Sequence, residues 1–165
     1  MSVIESIRTF IRDNCPVLQE FDQMFPPTIG MEKLEENTGS YTVQIVPSEP
    51  IVKRYVNGDT IRRVSFYFAS REAYEDVENI DTSEFYEAFS EWLESCTRSG
   101  NLPNLSEGKN AKCIKATTHG YLMDVTETKA QYQIQCEFQY YQSKGEETWQ
   151  QKELNKDIRK RIISM

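Results

Sequence analysis

From Ala130 to Tyr141 the chain alternates without a break, with Tyr132, Ile134, Cys136, Phe138 and Tyr140 on one side and Gln131, Gln133, Gln135, Glu137 and Gln139 on the other. Period two in a segment rich in aromatic and β-favouring residues predicts a long strand with one buried face. The three-and-four spacing of a helix appears twice. Val3, Ile4, Ile7, Phe10 and Ile11 predict a helix over 2–14, with Ser2 and Glu5 placed as in a capping box and Pro16 closing the end. Phe85, Phe89, Trp92, Leu93 and Cys96 predict a second helix over 83–98. Asp81, Thr82 and Ser83 are its N-cap candidates, Arg98 lies in its last turn and Gly100 just beyond. A Trp–Phe stripe at that spacing reads as core, and this helix is the expected cover for the sheet.

Shorter alternations supply the other strands. Tyr41, Val43 and Ile45 predict a strand ending near Pro47, and Ile51 to Val56 a second. Asn57-Gly58-Asp59-Thr60 is a turn signal, after which Ile61 to Ala69 returns with Val64, Phe66 and Phe68 on one face. This hairpin is basic. With Asn57-Gly58 as a two-residue loop Lys53 faces Arg62; with Gly58-Asp59 as the loop Arg54 faces Arg63. Either register opposes two cations, which is unfavourable in an isolated pair of strands and fits a surface that meets carboxylates of another molecule or subunit, or else a solvated edge. Ser70 to Ile80, with Glu72, Glu75, Asp76 and Glu78, reads as an acidic connector. Asn101 to Asn110 is a loop, and Lys112 to Thr118 with Tyr121 to Val125 form an expected hairpin around His119-Gly120. Thr28 to Ser40 has no period that assigns it, and no internal repeat is evident.

Past Tyr141 the chain turns polar, with Trp149, Leu154, Ile158 and Ile162 as its main apolar points. The last three lie four apart, as in a helix, and Arg159, Lys160 and Arg161 make the end basic. The expected organisation is one α+β domain over 1–141 and a C-terminal appendage over 142–165. Its antiparallel or mixed sheet packs against an N-terminal and a central helix, and the appendage is either a helix docked on its own domain or an arm that orders on a neighbour.

Composition narrows the chemistry. A net charge of −7 makes the average surface repel nucleic acid, so none is expected as a partner. No apolar run approaches a membrane span, and Glu5 stands where a signal peptide has its basic region, so no membrane partner and cytoplasmic synthesis are expected. Cys15, Cys96, Cys113 and Cys136 are widely spaced without a Cys-x-x-Cys, which reads as structural thiols. Gly108-Lys109 does not open a phosphate-binding loop: Pro103 stands where the first glycine belongs and Asn110 where Ser or Thr belongs. His119 lies in a turn signal, and Cys113 or Cys136 with Asp124 form no local catalytic signature with it. One histidine does not make a zinc cluster, and the carboxylates lack calcium-loop spacing. No catalytic residue, cofactor or metal is expected.

The order of certain segments carries a resemblance. They are Pro50-Ile51-Val52-Lys53-Arg54-Tyr55 with Gly58, Phe68-Ala69-Ser70-Arg71-Glu72, Phe85-Tyr86-Glu87-Ala88-Phe89 with Trp92-Leu93, and Gly100-Asn101-Leu102-Pro103. Ala116-Thr117-Thr118 with Gly120-Tyr121-Leu122, and Tyr132-Gln133-Ile134-Gln135-Cys136, complete the set. Together they resemble a small tail protein of phages, prophages and phage-tail-like bacteriocins of Gram-positive bacteria, over about residues 2–141. Members are catalogued as minor capsid or tail proteins, sometimes as chloramphenicol resistance proteins. The enzymatic label implies His-x-x-x-Asp-Gly; here Asp124 falls one residue too far from His119 and is followed by Val125, so it is rejected.

The order of elements is also similar to phage tail terminators. That resemblance implies a homo-oligomer, a hexameric ring that caps the tail tube, stops its elongation and offers a surface to head or sheath. The implied partners are copies of the chain itself, the tail tube protein, and sheath or neck proteins, first in the host bacterial cytoplasm and then within the particle. A neck or head-completion protein at the head–tail joint, or a monomeric adaptor, is the alternative. Charge alone selects Lys53, Arg54, Arg62, Arg63, Arg159, Lys160 and Arg161 as candidate partner-binding residues, with the acidic segment 72–78 as their complement.

Overall fold

The computed structural model describes residues 1–16, 29–30, 40–73, 80–125, 129–145 and 149–164. In chain order these form α1 (Val3–Asn14), β1 (Ile29–Gly30), β2 (Ser40–Val46), β3 (Ile51–Arg54), β4 (Thr60–Ala73), α2 (Ile80–Ser99), β5 (Lys109–Ala116), β6 (Tyr121–Val125), β7 (Lys129–Gln142) and α3 (Trp149–Ile163). The fold is α+β, with α1 and α2 on one face of the sheet.

Two 14-residue strands, β4 and β7, form the middle of the sheet and pair antiparallel along their whole length, from Thr60 opposite Gln142 to Ala73 opposite Lys129. β4 therefore extends through residues 70–73, which the sequence assigns to a connector. Those positions are held in the strand because β7 is long enough to offer them ladder partners. The acidic residues Glu75, Asp76 and Glu78 lie outside the described residues.

Each central strand is flanked by one strand broken in two. β2 and β3 both run antiparallel to β4, and β5 and β6 both run antiparallel to β7. The expected β5–β6 hairpin is thus replaced by a single interrupted edge strand, because β7 needs a partner along its full length. The interruptions match. Val46 faces Ser65 and Ile51 faces Arg62, so residues 47–50 stand against two residues of β4. Ala116 faces Cys136 and Tyr121 faces Gln133, so residues 117–120 stand against two residues of β7. A one-residue bulge follows on each side, at Val52 and at Met123. The chain is therefore built twice on one plan, a helix, a broken flanking strand, a turn and a long strand, with the halves related by an approximate two-fold axis through the sheet. The edge carbonyls obey it as well: Arg8 Nε of α1 donates to the Val43 carbonyl at 2.9 Å, and the Thr97 hydroxyl of α2 donates to the Ile114 carbonyl at 2.7 Å. Among the described residues, these bonds cover carbonyls on the outer sides of β2 and β5 that no strand pairs.

The core lies between this face and the two helices. α1 begins as expected, with Ser2 Oγ accepting from the Glu5 N–H and the Glu5 carboxylate accepting from the Ser2 N–H at 2.7 Å. It ends before Pro16 with Cys15 extended, the conformation a following proline favours. Ile7, Phe10 and Ile11 meet the α2 stripe and the inward side chains Val43, Phe66, Phe68, Ile114, Ile134, Cys136 and Phe138. Phe68 stacks on Phe89 at 4.5 Å and Phe10 on Trp92 at 5.4 Å. α2 starts at Ile80, so Asp81, Thr82 and Ser83 sit inside its first turn rather than capping it.

The second face of the sheet is polar without being fully wet. Tyr67 donates to Gln44 at 2.6 Å, and the Tyr121 hydroxyl accepts from Gln133 and Gln135 at 2.6 and 3.1 Å. Gln133 and Glu137 are buried there, which simple alternation does not reveal.

Candidate interaction surfaces

The basic hairpin does not close as either two-residue loop. The Tyr55 N–H donates to the Asp59 carbonyl, and the Gly58 N–H donates to the Tyr55 carbonyl, giving a three-residue loop, Val56 to Gly58, with Gly58 at φ +94°. Asp59 fixes this choice from a distance: its carboxylate accepts from the Tyr141 hydroxyl and from the Lys144 N–H. The register becomes Lys53 opposite Ile61 and Arg54 opposite Thr60, so no two cations oppose each other. That corrects both expected pairings.

The four cations also divide between the two faces of the sheet. Lys53 lies over the Tyr55 ring at 4.8 Å, on the same side as Arg63. Arg54 is exposed on the other side, where Arg62 Nε donates to the Thr60 hydroxyl at 3.2 Å. Arg63 already has a carboxylate: Glu137 of β7 lies 3.6 Å from its guanidinium and 3.9 Å from Lys115 Nζ. Changing Arg63 would therefore disturb the sheet as well as any interface. Among the hairpin cations Arg54 is the clean surface probe.

The last three candidates, Arg159, Lys160 and Arg161, are exposed near the end of α3. The appendage forms a helix, and its described side chains, residues 153–164, are exposed throughout. Leu154, Ile158 and Ile162 are 59%, 45% and 65% exposed along one face. At about 100° per residue Arg161 borders that stripe on one side and Arg159 on the other. The helix carries five basic and two acidic residues in a chain whose net charge is −7, so the remainder is more acidic than the whole.

An acidic counterpart lies on α2, where composition had not pointed. Glu84, Glu87, Glu91 and Glu94 share one exposed stripe, and none is in an ion pair with a described residue. The 3-4-3 spacing was readable in the sequence, beside the more conspicuous apolar stripe. Next to it, between α2 and the excursion at 117–120, is a cleft of about 400 Å³. Tyr86, Tyr132 and Ile134 form its floor, of which Tyr132 is the most accessible; Ser83, Ser90 and Thr118 add polar lining, and Glu87, Glu91 and His119 stand at its rim. Gly120 permits the close approach that shapes it, because a Cβ there would lie 2.6 Å from Tyr86 Cβ. The Tyr86 hydroxyl donates to the Tyr132 carbonyl at 2.9 Å and shares a buried hydrogen bond with Ser70 at 2.6 Å.

The groups considered for catalysis are scattered. His119 is exposed in the excursion, while Cys136 is buried on the core face, where burial pushes its thiol well above the ordinary range. Burial also raises Cys96, and a thiol so placed is a poor source of thiolate. All four cysteines are free. Among the described residues no three His, Cys, Asp or Glu side chains are grouped to hold a metal ion, and no helix is long and apolar enough to cross a membrane. No protein-family model matches the chain, and no curated protein sequence matches it.

Proposed function

We propose that the protein is a structural assembly component of a phage tail or phage-tail-like particle, a ring of identical subunits that caps the tail tube. The observation that carries this reading is the mismatch on α3: a basic helix with an exposed row of three aliphatic side chains, Leu154, Ile158 and Ile162, attached to an acidic domain. Such a stripe has a reason to exist when another surface covers it. The segments behind the resemblance include Phe68, Phe85, Phe89 and Ile134 of the core and the glycines at residues 58 and 120, so what they transmit is first of all a fold. The function follows from the ring that such a fold builds.

The mechanism is geometric. One face of the ring fits the end of the tube, and the other lacks what the next tube subunit would bind. Head-to-tail contacts between copies close the ring. Removing the protein from a particle-producing strain tests this directly. Tubes of uncontrolled length are the expected result, with the protein found at the tube end when it is restored. Normal tube lengths would refute it, and normal lengths with unattached heads would move the protein to the neck.

A further inference from the structure

We propose that α3 of one copy docks on a second copy of the chain, in the cleft between α2 and the excursion at 117–120. This rests on the reading that the protein works as an assembly of its own copies, and it names the surfaces that join them. The two surfaces are complementary in two respects. Leu154, Ile158 and Ile162 form an exposed apolar row, and the cleft offers the Tyr132 ring above Tyr86 and Ile134 within a mixed polar and apolar lining. Arg159 and Arg161 flank that row, while Glu87 and Glu91 stand at the rim of the cleft. A nucleic acid or an anionic membrane would be drawn to α3 by charge alone, yet either would be repelled by the acidic domain that carries it.

The test uses the full-length chain in sedimentation velocity across a concentration series at low salt, where surface charges are least screened. Two variants reverse one side each: Glu87→Arg with Glu91→Arg, and Arg159→Glu with Arg161→Glu. Each alone is expected to weaken self-association by at least about tenfold, roughly 1.4 kcal/mol. An equimolar mixture of the two restores it, because every cleft then meets a helix of opposite charge. Hydrogen exchange on the wild type supplies a readout independent of the variants: amides 154–162 gain protection as concentration rises. Association that neither variant weakens, or a mixture that stays dissociated, overturns the contact and leaves the ring reading standing. So does a wild type that remains monomeric at the highest concentration, or α3 protection that appears only with anionic vesicles. Absence of the protein from purified tail ends overturns the ring reading without touching the contact.

Discussion

Replacing Gly120 with alanine adds one methyl group at the point where the edge strand breaks and α2 comes down on it. The backbone there is not in the left-handed region, so the substitution tests packing alone. The new carbon would lie 2.6 Å from Tyr86 Cβ and 2.8 Å from Tyr132 Cε1. Tyr86 Cβ cannot swing aside, being bonded directly to the helix backbone, so either α2 or the excursion has to move. Overpacking of this kind costs about 1–3 kcal/mol. Movement of α2 would also strain the Tyr86 bonds to Ser70 and Tyr132, each worth about 1 kcal/mol. A total of about 2–4 kcal/mol is expected, which in a chain of this size lowers Tm by roughly 5–15 °C. Urea unfolding followed by circular dichroism measures it as a lower midpoint at unchanged slope. Gly100→Ala is the control: at φ +75° with nothing within 4 Å it bears only the backbone penalty, about 1–2 kcal/mol. If Gly120→Ala unfolds within about 0.5 kcal/mol of the wild type, α2 does not sit on the excursion as described.

The two halves should respond alike at equivalent core positions. Phe68→Ala and Phe138→Ala, both fully buried, should each cost about 3–5 kcal/mol in urea unfolding, and a small effect at either would show that the core is divided unequally. Glu137→Ala should destabilise by about 1–3 kcal/mol, because it strands the Arg63 guanidinium, whose buried Nε already has no hydrogen-bond partner among the described residues; Arg63→Met in the same chain should recover most of the loss. Glu5 is held below its ordinary value of 4.5, chiefly by the hydrogen bond from the Ser2 N–H. A depressed folded-state value means stabilisation that is present above the ordinary value and lost as pH falls through the lower one. The Tm advantage of the wild type over Glu5→Gln should accordingly shrink on acidification below about pH 4.5, and a constant difference would refute the cap's role.

What the sequence disclosed was the local periodicity that tertiary structure had no reason to change. The β7 alternation, the α1 face with its Ser2–Glu5 cap and the Phe85–Cys96 stripe each describe an element whose one buried face is written in its own residues. The failures have long-range causes. Asn57-Gly58 and Gly58-Asp59 are both good local turns, and Asp59 reaching Tyr141 and Lys144 selects neither. His119-Gly120 looks like a hairpin tip and becomes an excursion, because β7 demands an edge partner along all 14 residues. Tyr86 falls one position off the apolar stripe, so its burial depends on Gly120, far away in sequence. The repeat is not legible in the residues because only the interruptions recur: Phe66 corresponds to Cys136 and Lys53 to Asp124, pairs with no chemical likeness. Among the candidate site residues charge identified the cations, but only the register shows that Arg63 is committed to Glu137.

The doubled plan of the fold gives the molecule two similar flanks, and charge is what tells them apart. The outward side of α1 mixes signs, with Arg12 and Asp13 bonded to each other at 3.1 Å, whereas α2 presents four glutamates. Two copies meeting α2 to α2 would oppose acid to acid, and two meeting α3 to α3 would oppose base to base. Between these two helices the pairing that joins opposite charges is α3 against α2, and it can close in two ways. Two copies can exchange helices reciprocally, or each can pass its helix to the next until the rotation returns to the start. Both satisfy the same charges and both would be rescued by mixing the reversed variants, so mass separates them. A tube cap needs the second arrangement, which leaves one free helix and one free cleft at every step until closure. A closed species of about six copies at low salt is the expected end point. A species that stops at two copies would keep the contact and rule out the ring.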